Sequence, residues 1–124
     1  MNTVEILWPP KELSPNSRCH WRVKARVGKD YKKDVFWLCR SANLAVESCE
    51  KVDVWLDFYP PDKRRYDADN LVSRLKHGLD GIAEALKIND RKFVLHPVLH
   101  DETGNKVVVK ICENAGNSSE QALT

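Results

Sequence analysis

The segment Val52–Tyr59 has the sequence VDVWLDFY, in which apolar and polar residues alternate over the whole length. Successive side chains of a β-strand point to opposite faces, so one face of this segment is apolar and the other is acidic and aromatic. The alternation predicts a strand with one buried face, formed by Val52, Val54, Leu56 and Phe58. Pro60 and Pro61 end the strand, because proline cannot donate a ladder hydrogen bond.

Downstream of this strand, the segment Asn70–Lys87 has the periodicity of an amphipathic helix. Its apolar residues recur every three or four positions and form one face, which consists of Leu71, Leu75, Leu79, Ile82 and Leu86. Asp67 and Asp69 stand at its start, where capping residues are favoured. Gly78 and Gly81 weaken the middle of this helix by about 1 kcal/mol each relative to alanine.

The remaining segments supply a short strand, a loop, a helix and two further strands, predicted at Thr3–Trp8, Lys11–Arg26, Asp30–Ser48, Phe93–His100 and Lys106–Cys112. The buried stripe of that helix is predicted to be Val35, Leu38, Ala42, Ala45 and Val46. The last two strands flank a Gly-Asn turn and are expected to pair as a hairpin. The order β-α-β-α-β-β predicts a single two-layer α+β domain over residues 1–113, a mixed sheet with helices packed on it. A flexible C-terminal tail is expected over residues 114–124.

The composition excludes a membrane protein and a disulfide scaffold. The chain has 124 residues, 42% hydrophobic and 31% charged, and its 20 basic and 18 acidic side chains leave a net charge of +2. No apolar run approaches the roughly 20 residues of a membrane span. The first residues lack a signal-peptide pattern, so we expect a cytoplasmic protein. The cysteines form no C-x-x-C pair and are expected to be reduced thiols.

Two carboxylates, Asp67 and Asp69, lie at the junction between the predicted strand and helix, behind the basic residues 63–65. Side chains two apart in an extended segment point to the same side, so both can converge on one hard cation, Mg²⁺ or Mn²⁺. Lys63, Arg64 and Arg65 would then face phosphate groups. The same aspartates can also serve only as helix caps. Residue types alone leave both interpretations open.

Three blocks of the chain resemble the RusA-type Holliday-junction resolvases of bacteria and their prophages. Residues 7–10 (LWPP), followed by residues 14–16 (SPN), are similar to the family's opening strand and W-P-P-x-x-N loop, with a slightly longer loop here. Residues 64–71 (RRYDADNL) resemble the signature R-R-x-D-x-D-N-L, the most specific of the blocks. Residues 86–90 (LKIND) resemble the later segment that ends in a third catalytic aspartate.

The resemblance implies a homodimeric endonuclease that uses Mg²⁺, with Mn²⁺ able to substitute, and cuts four-way DNA junctions symmetrically in recombination and repair. Asp67, Asp69 and Asp90 would be its catalytic, metal-binding carboxylates. The family often has a lysine where this chain has Ser73. We expect a basic substitute, with Lys76 as the catalytic candidate at about 10 Å along the helix from Asp69. Two other interpretations are that another basic residue takes the role of the lysine, or that this member of the family cuts DNA poorly.

Asp90 raises a geometric question. One straight helix over Asn70–Ile88 would be about 27 Å long and would leave Asp90 at its far end. The helix can break near Gly78 or Gly81 so that the chain doubles back, or Asp90 of the partner subunit can complete the site across a two-fold axis. Asp101 is the intrachain alternative. The resemblance favours Asp90 and leaves open which chain supplies it.

Basic residues crowd the segment before and within the first predicted helix, and with the loop 63–65 they would line a groove for the DNA backbone. The predicted DNA contacts are Arg22, Lys24, Arg26, Lys32, Lys33, Lys63, Arg64 and Arg65, together with Asn16 and Asn70. Trp21 and Tyr66 lie among these charges and can stack on unpaired bases. A solvated helix face explains the same charges without DNA. The competing functions are a non-catalytic branched-DNA-binding protein, a nuclease that prefers flaps or forks, and a structural dimer with no DNA role.

Overall fold

Strands and helices follow one another in the order expected from the sequence. The computed structural model describes residues 2–47 and 50–114. Its strands and longer helices are β1 (Asn2–Leu7), α1 (Trp21–Ser41), β2 (Lys51–Tyr59), α2 (Ala68–Arg74), α3 (Lys76–Leu86), β3 (Phe93–Leu99) and β4 (Lys106–Asn114). Short 3₁₀ turns lie at Lys11–Leu13 and Asp90–Lys92. Asn114, assigned to the predicted tail, ends β4, and residues 115–124 of that tail lie outside the described residues.

The strands form one mixed sheet in the order β1-β4-β2-β3. Strand β4 is antiparallel to both of its neighbours, whereas β3 is parallel to β2. The predicted hairpin of β3 and β4 is therefore wrong, since these strands lie on opposite sides of β2. The segment that connects β3 to β4 passes the end of β2. There the N–H groups of Gly104 and Asn105 donate to the Pro60 carbonyl at 2.8 and 3.1 Å. The Val-Val-Val run of β4 gains more from packing in the middle of the sheet than at an edge.

One face of this sheet is buried against the helices. The predicted inward side chains of β2 are each 0% exposed: Val52, Val54, Leu56 and Phe58. They belong to one core cluster with the apolar helix face Leu71, Leu75, Leu79, Ile82 and Leu86. This arrangement confirms the two-layer α+β domain. On the opposite face of β2, Trp55 is 41% exposed.

Helix α1 differs from the predicted helix Asp30–Ser48 at both ends. It begins earlier because the His20 ring caps it, with Nδ1 accepting the N–H of Arg22 at 3.1 Å. It ends earlier because Asn43 adopts a left-handed conformation with φ of 56°. The predicted loop Lys11–Arg26 is shortened accordingly. The buried residues of α1 are Gly28, Tyr31, Val35 and Cys39. Of the predicted stripe, Val35 is therefore fully buried, and Leu38 and Val46 pack against the core while partly exposed.

The predicted helix Asn70–Lys87 is divided at Leu75 into α2 and α3. The N–H of Leu75 donates to the carbonyls of both Leu71 and Val72, at 3.0 and 3.1 Å, so the helix tightens there. The helix is therefore interrupted at Leu75, and not near Gly78 or Gly81. Leu75 is 0% exposed, and the apolar face continues across the interruption. Lys87, with φ of 58°, ends α3.

Over residues 2–47 and 50–114, no helix has the length and apolar character needed to cross a membrane. Cys19, Cys39 and Cys112 are free thiols, as expected for reduced cysteines. Cys49 lies outside the described residues.

Glycine residues allow α1 and α3 to pack closely, running side by side in the same direction. A Cβ atom on Gly81 would lie 2.6 Å from the carbonyl oxygen of Lys32 and 3.3 Å from the amide nitrogen of Phe36. Both are backbone atoms of α1, which cannot move aside without shifting the helix. A Cβ atom on Gly28 would instead meet the His77 ring, with Nε2 at 2.7 Å.

We predict that Gly81→Ala lowers the free energy of unfolding by about 1–3 kcal/mol, because overpacking against the α1 backbone outweighs the gain in helix propensity. Gly28→Ala is the matched control in the same helix pair. Its cost should stay below about 1 kcal/mol, because the His77 ring can rotate away. Urea denaturation of the two variants measures both values. Equal or higher stability of Gly81→Ala would contradict this account of the helix contact.

Candidate functional site

The aspartate pair lies where β2 passes into α2. Asp67 is the N-cap of α2, in an extended conformation, and its Oδ1 accepts the N–H of Asp69 at 3.0 Å. The hydrogen bond, and not an extended segment, therefore keeps the two residues close together. Both side chains are exposed. Within the described residues, the Asp69 carboxylate has no hydrogen-bond or ion-pair partner, so its oxygens are free to bind a ligand.

Asp62 organises the loop that leads to this pair. Its Oδ1 accepts the backbone N–H of Arg64 and the Tyr66 hydroxyl, each at 3.0 Å, and its Oδ2 pairs with the Arg64 guanidinium at 3.0 Å. The backbone N–H of Arg64 is the main reason that the pKa of Asp62 is lowered. Burial, and then the bond to Asp62, raises the pKa of Tyr66. The loop 62–66 is therefore held in one shape by a carboxylate.

A cleft of about 440 Å³ lies beside this loop. We call it the basic cleft, and its charged lining includes Lys63, Arg64, Arg65, His100 and Asp101. The three consecutive cations are exposed. Arg64 is paired with Asp62, whereas Lys63 and Arg65 have no ion-pair partner among the described residues and can meet an anionic ligand. A concave surface lined by cations suits the phosphates of a nucleic-acid backbone.

Asp57 and His100 form a pair beside this cleft that the sequence analysis missed. Asp57 is the buried charged residue of β2, 8% exposed. Its Oδ1 lies 2.9 Å from Nε2 of His100, and its Oδ2 lies 3.5 Å from Nζ of Lys110. The His100 ring also stacks on Tyr59 with a centroid distance of 4.4 Å. These partners compensate the burial of the Asp57 carboxylate.

A second aspartate–histidine pair has the same arrangement and lies four residues earlier in each of the two segments. Asp53 Oδ1 lies 2.9 Å from His96 Nε2, and the His96 ring stacks on Trp55 at 4.3 Å. The aspartates and the histidines share a four-residue spacing, and Trp55 is in register with His96 across the parallel strands. That shared spacing is the sequence signal for the pairs. It becomes visible only once β3 is known to lie next to β2.

The opening loop contacts the start of α2. Ser14 Oγ donates to Asn70 Oδ1 at 3.5 Å, and the Lys24 ammonium donates to the Ser14 carbonyl at 3.2 Å. The N–H of Asn16 donates to the same Ser14 hydroxyl at 3.4 Å. Three predicted DNA contacts, Asn16, Lys24 and Asn70, are therefore near the aspartate pair.

The predicted DNA contacts of α1 divide into two groups. Arg22, Lys24 and Arg26 lie in its first turns, at the end of the domain where α3 also begins. Lys32 and Lys33 lie about 12 Å farther along the helix axis. Lys32 pairs with Glu84 of α3 at 3.1 Å, so it serves the helix contact. The first group is better placed to share a ligand with the aspartate pair.

Asp90 lies at the opposite end of the sheet from the aspartate pair. It begins the turn before β3, whose first residue Phe93 is in register with Val52 at the start of β2. The length of β2 thus places Asp90 about 20 Å from Asp67. Asp101 is at the same end as Asp67. In the described ranges, no three His, Cys, Asp or Glu side chains come close enough to hold a metal ion.

Lys76, the predicted catalytic lysine, is the exposed first residue of α3. The interruption at Leu75 lies between it and α2, and its distance along the helix axis from Asp69 is about 10 Å. The structure therefore brings Asp67 and Asp69 together, with Lys76 nearby and Asp90 apart. Two carboxylates fit Mg²⁺, which is usually held by one or two carboxylates plus phosphate oxygens and water.

We predict that Asp62 titrates below the ordinary aspartate range. Because its pKa is lowered in the folded protein, its contribution to loop stability is present above the pKa of the unfolded state and is lost as the pH falls through the folded value. The carboxyl-carbon NMR signal of Asp62 measures this midpoint. Tyr66→Phe removes one hydrogen bond and should move the midpoint upward. A midpoint at or above the ordinary value would contradict the loop geometry.

The chain is similar to a protein of known sequence. No protein-family model matches the chain. An uncharacterized protein of Xylella fastidiosa (strain Temecula1) is 39% identical to it, over an alignment that covers 90% of this chain and 76% of the relative. The alignment thus extends over most of the chain. The chain belongs to the same protein family as this Xylella fastidiosa protein.

Proposed function

We propose that this protein is a Mg²⁺-dependent endonuclease that hydrolyses phosphodiester bonds at four-way DNA junctions, as the resemblance to the RusA-type resolvases implies. The observation that carries the proposal is the Asp67–Asp69 pair, which is exposed, held together by the cap of α2 and flanked by cations. The pair lies inside the most specific of the resembling blocks. A DNA substrate in recombination and repair would place the protein in the cytoplasm.

Each residue of the site would have its own role in phosphodiester hydrolysis. Asp67 and Asp69 would hold the metal ion, Asp67 through the carboxylate oxygen that does not accept the N–H of Asp69. Mg²⁺ bound there would lower the pKa of a water and neutralise charge on the phosphate. Arg64 and Arg65 would orient the DNA backbone, and Lys76 would stabilise the charge that develops in the transition state. Asp62 supports this work by fixing the loop.

A third carboxylate would come from a second subunit. Asp90 lies at the far end of the sheet, about 20 Å from the aspartate pair of its own chain. In a two-fold dimer with antiparallel sheets, Asp90 of the partner subunit can approach Asp67 and Asp69. The same symmetry produces two equivalent sites. Two sites match the paired incisions that resolution of a four-way junction requires.

The basic groups would bind the arms of the junction. The basic cleft follows one side of the loop, and Arg22, Lys24 and Arg26 lie at the same end of the domain. Affinity from such contacts falls steeply as salt rises, because bound phosphates release counterions. A protein of this kind would prefer branched DNA when both subunits engage it.

A second candidate function is non-catalytic binding of branched DNA. It is favoured by the capping role of Asp67, which gives this aspartate a structural reason to be present. A nuclease that prefers flaps or forks would use the same chemistry on another substrate. Metal dependence of cutting separates the binder from the nucleases, and a panel of branched DNAs separates the nucleases from one another.

We predict that the wild-type protein cuts a synthetic four-way junction with Mg²⁺ and not with EDTA. Asp69→Asn and Asp67→Asn should each lower the cutting rate by about 100-fold or more, because a metal ligand is lost. Asparagine still caps a helix, so Asp67→Asn isolates metal binding from capping. Asp34→Asn, at an exposed position of α1, is the control and should cut normally. Undiminished cutting by Asp69→Asn would refute the assignment.

A mixing experiment tests whether the third carboxylate comes from the partner. Asp67→Asn and Asp90→Asn proteins should each be inactive alone. If the site is shared, a mixed dimer retains one intact site, made from Asp67 of one chain and Asp90 of the other. We expect equal mixing to restore nicking of one strand without paired cuts, measured by product length on denaturing gels. No recovery in a verified mixed dimer would place all ligands in one chain.

A further inference from the structure

A second cavity shares the loop 60–66 with the basic cleft. It has a volume of about 310 Å³, and both cavities touch Asp62, Arg64 and Tyr66. The rest of its lining differs, so the loop separates the two cavities. We call it the aromatic pocket, and its remaining walls include Trp8, Pro9, Pro10 and Arg74.

The aromatic wall of this pocket is fixed by neighbouring side chains. The Trp8 ring meets Tyr66 edge to face at a centroid distance of 5.4 Å, and meets Phe58 of the core at 6.0 Å. The Tyr66 hydroxyl is held by Asp62 at 3.0 Å. Rigid rings that are anchored in this way lose little entropy when a flat ligand stacks on them.

Arg74 lines the same pocket and has one hydrogen-bond donor without a partner among the described residues. Its Nη2 donates to the Pro9 carbonyl at 2.7 Å, and its guanidinium lies 6.0 Å from the centre of the Trp8 ring. Its Nε is buried and has no partner among the described residues. Burial also lowers the pKa of Arg74. A buried donor without an acceptor is unfavourable, and an acceptor on a ligand would relieve it.

We propose that the aromatic pocket binds an unpaired base of the DNA substrate near the scissile phosphate, and that Arg74 donates to that base. Stacking on aromatic rings is the usual way in which proteins hold unpaired bases. Arginine pairs most often with the O6 and N7 acceptors of guanine, so guanine is the expected base. Arg74 is a specificity-determining residue in this arrangement.

The position of the pocket agrees with this assignment, which rests on the function proposed above. Tyr66 directly precedes Asp67, and Arg74 ends the short helix that Asp67 caps. The length of that helix is about 10 Å. Successive nucleotides of one DNA strand are about 3.4 Å apart. A base within about three nucleotides of a phosphate at Asp67 and Asp69 therefore reaches the pocket.

A first experiment detects the base without any DNA cutting. Full-length protein is titrated with dGMP, dAMP, dCMP, TMP and inorganic phosphate, while NMR follows the Nε–H signal of Arg74 and the indole N–H of Trp8. We expect dGMP to shift both signals the most. Equal shifts with inorganic phosphate would show an anion site and overturn the proposal. No shift of either signal with any nucleotide would also overturn it.

A second experiment measures base discrimination. Four-way junctions carry each of the four bases at each of the three positions on either side of the cut, and competition binding is measured in the Asp69→Asn background. We expect one position to prefer guanine, and Arg74→Gln to reduce that preference by about 5-fold to 100-fold. Arg40→Gln is the matched control, because Arg40 lies 5.8 Å from the Phe36 ring at the other end of α1. It should leave the preference unchanged.

The outcomes of these two experiments separate a failure of the pocket assignment from a failure of the proposed function. Junction binding and cutting with a base preference that survives in folded Arg74→Gln would overturn the pocket assignment alone. Arg74→Lys retains a charge that can reach the Pro9 carbonyl, and it should also lose the preference while keeping the fold. A protein that neither binds nor cuts junctions would refute the proposed function, whereas the nucleotide titration would still report on the pocket.

Discussion

The packing of β2 against the leucine face of α2 and α3 determines where the site lies. Both elements are apolar on one side, and both apolar sides are buried in one core cluster. Only residues 60–67 connect them, so the chain must turn sharply at one end of the sheet. The aspartate pair, the cations and the two cavities all lie at that turn. The site is thus a consequence of joining a strand to a helix in few residues.

Much of this arrangement could be predicted from the sequence because its signals are local. The alternation in β2 and the spacing of Leu71, Leu75 and Leu79 each describe one element, and both are correct. The start of α1 was missed because its cap is His20, outside the usual set of capping residues. The pairing of β4 was missed because a turn signal indicates a reversal of the chain and does not specify which strand comes next to it.

In the candidate site too, local features could be predicted from the sequence and features that depend on strand pairing could not. The aspartate pair could be found from its own neighbourhood, since Asp67 and Asp69 are two residues apart. The pairs Asp57–His100 and Asp53–His96 join residues 43 apart and depend on the parallel pairing of β2 with β3. No local pattern encodes that pairing. The position of Asp90 depends on the same parallel strand, which separates it from the aspartate pair by the length of the sheet.

The insertion of β4 between β1 and β2 has a consequence for how the chain folds. Strand β1 is the first strand of the described residues, and it pairs in this sheet only with β4, which is formed by residues 106–114. Its partner is thus the last described strand to leave the ribosome. Closing so long a loop is slow, and until it closes β1 has an unpaired edge and β2 lacks its antiparallel neighbour. The sheet of the described residues is therefore completed only after β4 has been synthesised, because β4 is the strand that joins β1 to β2.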